Sequence, residues 1–224
     1  MQQPFVVCVA DERHTPLAAG ICDEMAASAK ARGTGIARRS PEYIAAKMKE
    51  GKAVIALTPM GVWAGFCYIE TWGHGKYVAN SGLIVAPEFR KSGLAKQIKK
   101  KVFELSRHKY PDAKIFGLTT GLAVMKINSE LGYEPVTYSE LTSDEAFWQG
   151  CTSCVNYPIL TSKEGKNCLC TAMLYDPATA APQTSARRWE FGRQSKIYER
   201  LTRLKQFSFI KTILDKKKNT HAPR

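Results

Sequence analysis

One stretch constrains this chain more than any other. Leu83-Ile84-Val85-Ala86-Pro87-Glu88-Phe89-Arg90-Lys91-Ser92-Gly93-Leu94-Ala95 runs from an apolar extended segment, through a turn containing proline, into a helix. After Gly93, Leu94, Ile98, Val102 and Leu105 recur along one helical face. A strand feeding such a helix belongs to a layered arrangement in which the helix packs its apolar stripe on a sheet. The turn also has a chemical bias. The first N–H groups of a helix lack intrahelical acceptors, and the helix dipole adds partial positive charge there. Gly93 lets the backbone approach a bulky anion, and Arg90, Lys91 and Lys96 add charge. A pyrophosphate suits such a turn. Neither the Walker spacing nor Gly-x-Gly-x-x-Gly is present.

The surrounding segments supply the sheet. Phe5 to Ala10 reads as a strand. Thr15-Pro16 reads as the start of a helix carrying Leu17, Ile21 and Met25, with Gly33 as its stop. Ser40-Pro41-Glu42 opens a second helix, with Ile44 and Met48 on one face and Gly51 at its end. Strands are expected over Ala53 to Leu57, Val62 to Glu70 and Tyr77 to Val85, with Pro59-Met60-Gly61 and Gly73-His74-Gly75 as turns. Lys114 to Thr119 is another strand, Leu122 to Leu131 a short helix, and Leu169 to Tyr175 a last β region. The order β-α-α-β-β-β-α-β-α-β predicts an α/β (α+β) domain with a mixed central sheet.

Composition excludes several classes. The chain has 224 residues, 44% hydrophobic and 24% charged, in the globular range. No apolar run approaches the roughly 20 residues that span a bilayer. The N-terminus does not read as a signal peptide. Seven cysteines, an odd number, favour a reducing compartment, so a cytoplasmic location is expected. Most of the net charge of +13 sits in residues 177–224, with 12 Lys or Arg against 3 Asp or Glu. The expected organisation is a domain over 1–176 and a basic linker, amphipathic helix and tail over 177–224. Trp189, Ile197, Leu201 and Leu204 give that helix its apolar face. Packing or homo-oligomer formation is expected of it; nucleic acid is not an expected partner.

Val85-x-Pro87-x-x-Arg90-x-x-Gly93-x-Ala95 resembles the coenzyme A signature of the GNAT superfamily, and the element order resembles that fold from Phe5 to about Val136. The resemblance implies a central sheet splayed around an acyl-coenzyme A cleft. Leu83, Ile84, Val85, Arg90, Lys91, Ser92, Gly93, Leu94, Ala95 and Lys96 would bind the cofactor. The pantetheine arm would pair with Leu83 to Val85, and a backbone N–H at Val85 would face the thioester carbonyl. A finer resemblance is to the acyltransferase domain of N-acetylglutamate synthase, carried by Gly35-Ile36-Ala37-Arg38-Arg39-Ser40 and by Gly117-Leu118-Thr119-Thr120 with Leu131-Gly132-Tyr133. It implies transfer of acetyl, or succinyl, to the α-amine of glutamate or a similar amino acid, in arginine biosynthesis. Arg38 and Arg39, with Thr119 and Thr120, would then bind the acceptor, since a guanidinium fork suits a carboxylate. The other reading of the arginines is as solvated charges ahead of a helix cap.

Two positions depart from those patterns. Gly121 stands where such synthases often carry an arginine, and Asn128 where a GNAT tyrosine would protonate the thiolate. The amino-acid-kinase domain of many such synthases is also missing from these residues, as in a stand-alone short form. Glu70 is the candidate base, with His74 second; either could instead be an ordinary strand-end or turn residue. Cys151-x-x-Cys154 and Cys168-x-Cys170, in a Cys-rich elaboration over 148–175, could supply four thiolates to a structural zinc. They could equally be reduced thiols or, less in keeping with their surroundings, a redox pair. The alternatives to an amino-acid acyltransferase are a GNAT enzyme for another small amine or a protein, and a non-catalytic acyl-coenzyme A sensor with a basic tail that binds a partner or nucleic acid.

Overall fold

The computed structural model describes residues 5–33 and 37–180. Gly35 and Ile36 of the arginine motif, and the linker residues and basic helix beyond 180, lie outside the described residues. Seven strands form one sheet in the order β1-β2-β3-β4-β5-β7-β6. They are β1 (Val6–Val9), β2 (Ala53–Leu57), β3 (Trp63–Trp72), β4 (Tyr77–Val85), β5 (Lys114–Thr119), β6 (Glu134–Val136) and β7 (Thr171–Tyr175). Among the described residues only β4 and β5 pair in parallel; the other neighbours are antiparallel.

Helices cover both faces. α1 (Ala18–Arg32) and α2 (Pro41–Lys49) pack Ile21, Met25, Ile44 and Met48 against Ile55, Phe66 and Tyr68. On the other face, α3 (Leu94–Lys109) and the region of α4 (Leu122–Glu130) close over Val54, Cys67, Ile69, Val78 and Ile115. A third cluster sets Phe116, Ala172 and Leu174 against Tyr138 and Leu141 and a segment with two short helices, α5 (Glu145–Gln149) and α6 (Tyr157–Ser162).

Local chemistry explains the boundaries. Ser40 caps α2 by accepting from the Tyr43 N–H, and Pro41 occupies the first turn. The start of α1 differs from the sequence expectation. Asp11, not Thr15, is the cap: its carboxylate accepts from the Arg13 N–H and opens a 3-10 turn over Glu12–Leu17 that contains Pro16. α5 and α6 were not anticipated from sequence.

Two irregularities shape the centre of the sheet. The β3–β4 register shifts between Phe66 and Tyr68, next to Gly82 of β4. Gly82 has φ +65°, and a Cβ there would meet the Tyr68 ring at 2.4 Å, so only glycine fits. The parallel pairing of β4 with β5 covers only Tyr77, Val78 and Ala79 opposite Lys114, Ile115 and Phe116. From Asn80 to Val85, β4 keeps β3 on one side and, among the described residues, no paired strand on the other. Its free edge leads directly to the turn before α3.

Candidate active site

The turn at the end of β4 is an array of donors. Gly93 is the N-cap of α3 with φ +81°, and no side chain caps the helix. Lys91 also takes a positive φ, 64°. Among the described residues, the backbone N–H groups of residues 91–95 have no acceptor. A Cβ on Gly93 would meet nothing within 4 Å. Five consecutive uncapped donors at a helix start, beside an open backbone, form a built-in anion seat.

Two of the three basic side chains here are engaged within the protein. Arg90 donates from Nε to the Val85 carbonyl at 3.1 Å, and from Nη2 to Glu24 at 2.8 Å and Ser28 at 2.7 Å. It therefore ties the turn to α1. Lys96 pairs with Glu130 of α4 at 2.7 Å. Ser92 donates its hydroxyl to the Phe89 carbonyl at 2.6 Å. Of the three charges that the sequence offers the anion, Arg90 and Lys96 are engaged within the protein, whereas Lys91 has no ion-pair partner among the described residues. A cleft of about 680 Å³, lined in part by Glu24, Trp63 and Phe89, opens on the α1 side of the same turn.

Glu70 sits near the end of β3, 4% exposed, opposite Ala79 of β4. It is held from two sides. Arg39 donates from Nη2 to Oε1 at 3.0 Å, and the Tyr43 hydroxyl donates to the same oxygen at 2.6 Å. The Arg39 guanidinium also lies 5.2 Å from the centre of the Tyr43 ring. Burial works against the Arg39 charge, but Tyr68, Glu70 and Tyr43 outweigh it and hold the guanidinium protonated. Burial, reinforced by the Glu70 carboxylate, raises the Tyr43 phenol, so it remains a donor. Both bonds fall on Oε1. Among the described residues, no donor is assigned to Oε2.

This arrangement redistributes the residues expected to bind an acceptor. Arg39 is paired with the candidate base and is not an open fork. Arg38 is exposed, and its backbone N–H donates to Ser153 Oγ at 3.1 Å. Thr119 ends β5 and accepts at Oγ1 from the Gly121 N–H at 3.0 Å, while Thr120 is exposed at the bend. His74 is exposed in the β3–β4 turn, with φ 55°. Asn128 is 1% exposed on α4; its amide nitrogen reaches Met173 Sδ at 3.8 Å, and its Oδ1 is buried with no partner. Sequence reasoning missed Tyr43. Its signal was the helical spacing that sets it one residue before buried Ile44.

The Cys-rich segment folds against this corner. A Cβ on Gly150 would lie 3.4 Å from the Arg39 guanidinium. All four cysteines are free and half-buried. Burial, then Cys154 and Cys168, push the Cys151 thiol up to about 11. Burial, then Cys168, Cys154 and Cys151, push Cys170 up to about 12. The Asn156 N–H donates to Cys154 Sγ at 3.4 Å, and Cys168 Sγ donates to the Asn156 carbonyl at 3.7 Å. The thiols thus share one neighbourhood. Among the described residues, however, no group of three or more His, Cys, Asp or Glu side chains is assembled as a metal centre.

Neither a family model nor a curated protein matches the sequence. Solved structures match the fold. An acetyltransferase of the GNAT family from Staphylococcus aureus aligns with a TM-score of 0.54 at 12% identity, covering 78% of this chain and 99% of that one. N-acetylglutamate synthase from Neisseria gonorrhoeae, complexed with coenzyme A and N-acetyl-glutamate, aligns at 0.55 and 15% identity. The fold is that of the GNAT acetyltransferases. The match covers 79% of this chain but only 36% of the Neisseria chain. Rv2747 from Mycobacterium tuberculosis, in complex with CoA, aligns at 0.54 and 15% identity, over 76% of this chain and 98% of that one. In this GNAT fold, the unpaired edge of β4, the donor turn and Glu70 lie along one strand pair. No described helix is long and apolar enough to cross a membrane.

Proposed function

We propose that the chain transfers an acyl group from acyl-coenzyme A to the α-amine of glutamate or a similar amino acid, in arginine biosynthesis. The observation that carries the reading is the run of five unpartnered N–H groups at residues 91–95, continuous with a strand edge that leads toward Glu70. The pyrophosphate sits on those N–H groups. The pantetheine arm follows the edge from Val85 toward Asn80, about 17 Å of strand, comparable to the length of an extended arm. The thioester then lies level with Glu70, so the Val85 N–H serves the arm and a β4 N–H nearer Asn80 faces the carbonyl oxygen. Glu70 takes the ammonium proton on Oε2 while Arg39 and Tyr43 fix Oε1. The freed amine attacks directly, with no covalent enzyme intermediate.

The acceptor carboxylates fall to Arg38 and the end of β5 at Thr119 and Thr120, because Arg39 is engaged by Glu70. That engagement also favours a second reading, in which the acceptor is a different small amine or a protein. The division into a 1–176 domain and a 177–224 tail, the oligomer role of that tail and a cytoplasmic location are parts of the proposal. So is a structural zinc on Cys151, Cys154, Cys168 and Cys170, supported by their shared neighbourhood and by the N–H···S bond to Cys154. The test is thiol release from acetyl- and succinyl-coenzyme A against a panel of amino acids and amines. Turnover with glutamate supports the amino-acid reading. Turnover only with other amines replaces the acceptor.

A further inference from the structure

Lys99 does not belong where it is unless it has work to do. It lies on α3, 2% exposed, inside the apolar layer between helix and sheet. No carboxylate pairs with it among the described residues. Its Nζ donates to Asn80 Oδ1 at 3.4 Å and lies 5.2 Å from the centre of the Tyr133 ring. A buried ammonium without a counter-ion is costly, so such groups are rare outside functional positions.

The neighbours are fixed. Asn80 Oδ1 also accepts from the Tyr133 hydroxyl at 2.9 Å, and Asn80 Nδ2 donates to Ser106 Oγ at 2.8 Å. Ser106 in turn donates to the Val102 carbonyl at 2.8 Å. The amide is thereby oriented with its oxygen toward Lys99. An ammonium has three donors. One meets Asn80, the ring face receives the charge, and a third has no assigned acceptor.

Position supplies the role. Asn80 is the first β4 residue beyond the stretch paired with β5. It stands opposite Ile69, while its predecessor Ala79 stands opposite Glu70. Successive strand residues face opposite sides of a sheet. At one level of the strand pair, then, Glu70 lies on one face and the Asn80–Lys99 pair on the other, beside the opening of β4 from β5.

We propose that Lys99 is the acid that protonates the departing thiolate, a role that rests on the acyl-transfer reading above. As the tetrahedral intermediate collapses, the carbon–sulfur bond breaks and its electron pair goes to sulfur. Sulfur takes a proton from Lys99 Nζ, giving free thiol and neutral amine. Lys99 regains a proton from water. Of the two protons lost by the acceptor ammonium, one balances the thiol and one is released. Asn128 then needs no acidic hydrogen.

The titratable groups facing Lys99 are Cys67 of β3 and Tyr133 after α4. Burial raises Cys67 to about 11 and Tyr133 well above its ordinary value, so both stay neutral near neutral pH. Burial lowers Lys99 to about 8. The acid is therefore charged at neutral pH and is lost as pH rises through that value.

The test is kcat against pH, with coenzyme A affinity measured in parallel. Wild type is expected to lose kcat above about pH 8. Lys99→Met, an apolar near-isostere, is expected to lose that limb and to lower kcat about 100-fold at unchanged coenzyme A affinity. Asn80→Asp places a carboxylate beside Nζ and is expected to move the limb upward by about one pH unit or more. An active Lys99→Met with wild-type kcat and an unchanged limb overturns the assignment, as does an unmoved limb in Asn80→Asp. Wild type without any acyl transfer overturns the acyl-transfer reading instead, which keeps the two failures distinct.

Discussion

Replacing Arg39 by alanine separates two incompatible roles for that residue. In the structure Arg39 is 19% exposed and Glu70 4%, and the two are joined at 3.0 Å. Removing one partner of a buried pair leaves an uncompensated charge and costs about 3–5 kcal/mol. Arg39 keeps some solvent contact, and Tyr43 still holds Oε1 at 2.6 Å, so the lower end, about 3 kcal/mol, is expected. For a domain of this size that corresponds to a Tm lower by roughly 6–12 °C. Because Arg39 also aims the carboxylate, kcat should fall roughly 10–100-fold, with a smaller change in the acceptor KM. Thermal melts and steady-state kinetics on Arg39→Ala make the measurement. A Tm within about 2 °C of wild type, with a raised acceptor KM and unchanged kcat, would refute the pairing role. Arg39 would then be a substrate fork.

Further outcomes follow from the same geometry. Arg38→Ala should raise the amino-acid KM far more than the acyl-coenzyme A KM, at little cost in stability; equal effects on both would remove it from the acceptor site. Gly93→Val should abolish coenzyme A binding in calorimetry, because valine at φ +81° is strained and covers the N–H groups; unchanged affinity would displace the pyrophosphate. Lys99 has a depressed pKa in the folded state, so the unfolded chain binds more protons between about pH 8 and 10.5. Its burial cost, roughly 3 kcal/mol by linkage, should therefore fade as pH rises through that window. The stability difference between Lys99→Met and wild type should shrink accordingly in denaturant titrations at pH 7 and pH 10; a constant difference would contradict the shift. Protein purified under reducing conditions should carry close to one zinc per chain if the four thiols bind it, and metal-free protein with four freely titrating thiols would exclude that site.

What could be read from sequence was what is decided locally. Ser40-Pro41 set the start of α2 because cap and proline act within one turn. The bounds of β2, β4 and β5 followed from short apolar runs between turn residues. The donor turn was legible because its chemistry is a property of consecutive residues. At the first helix, two local signals competed, and Asp11 captured the Arg13 N–H before Thr15 could cap. α5 and α6 are too short to carry a pattern and exist through packing on Phe116 and Tyr138. The Arg39–Glu70 pair spans 31 residues and depends on α2 lying across β3, which no spacing reveals. Lys99 hid among the lysines of α3. The clue was its spacing of three, four and seven residues from Val102, Phe103 and Ser106, all buried.

The most direct measurement is steady-state thiol release from acetyl- and succinyl-coenzyme A with glutamate, for wild type and Glu70→Gln, alongside coenzyme A affinity for each. Turnover by wild type that falls about 100-fold or more in Glu70→Gln, at equal coenzyme A affinity, is the predicted result. Tight coenzyme A binding with no turnover, on glutamate or on any other amine of the panel, would contradict it and favour the reading of the chain as a sensor of acyl-coenzyme A.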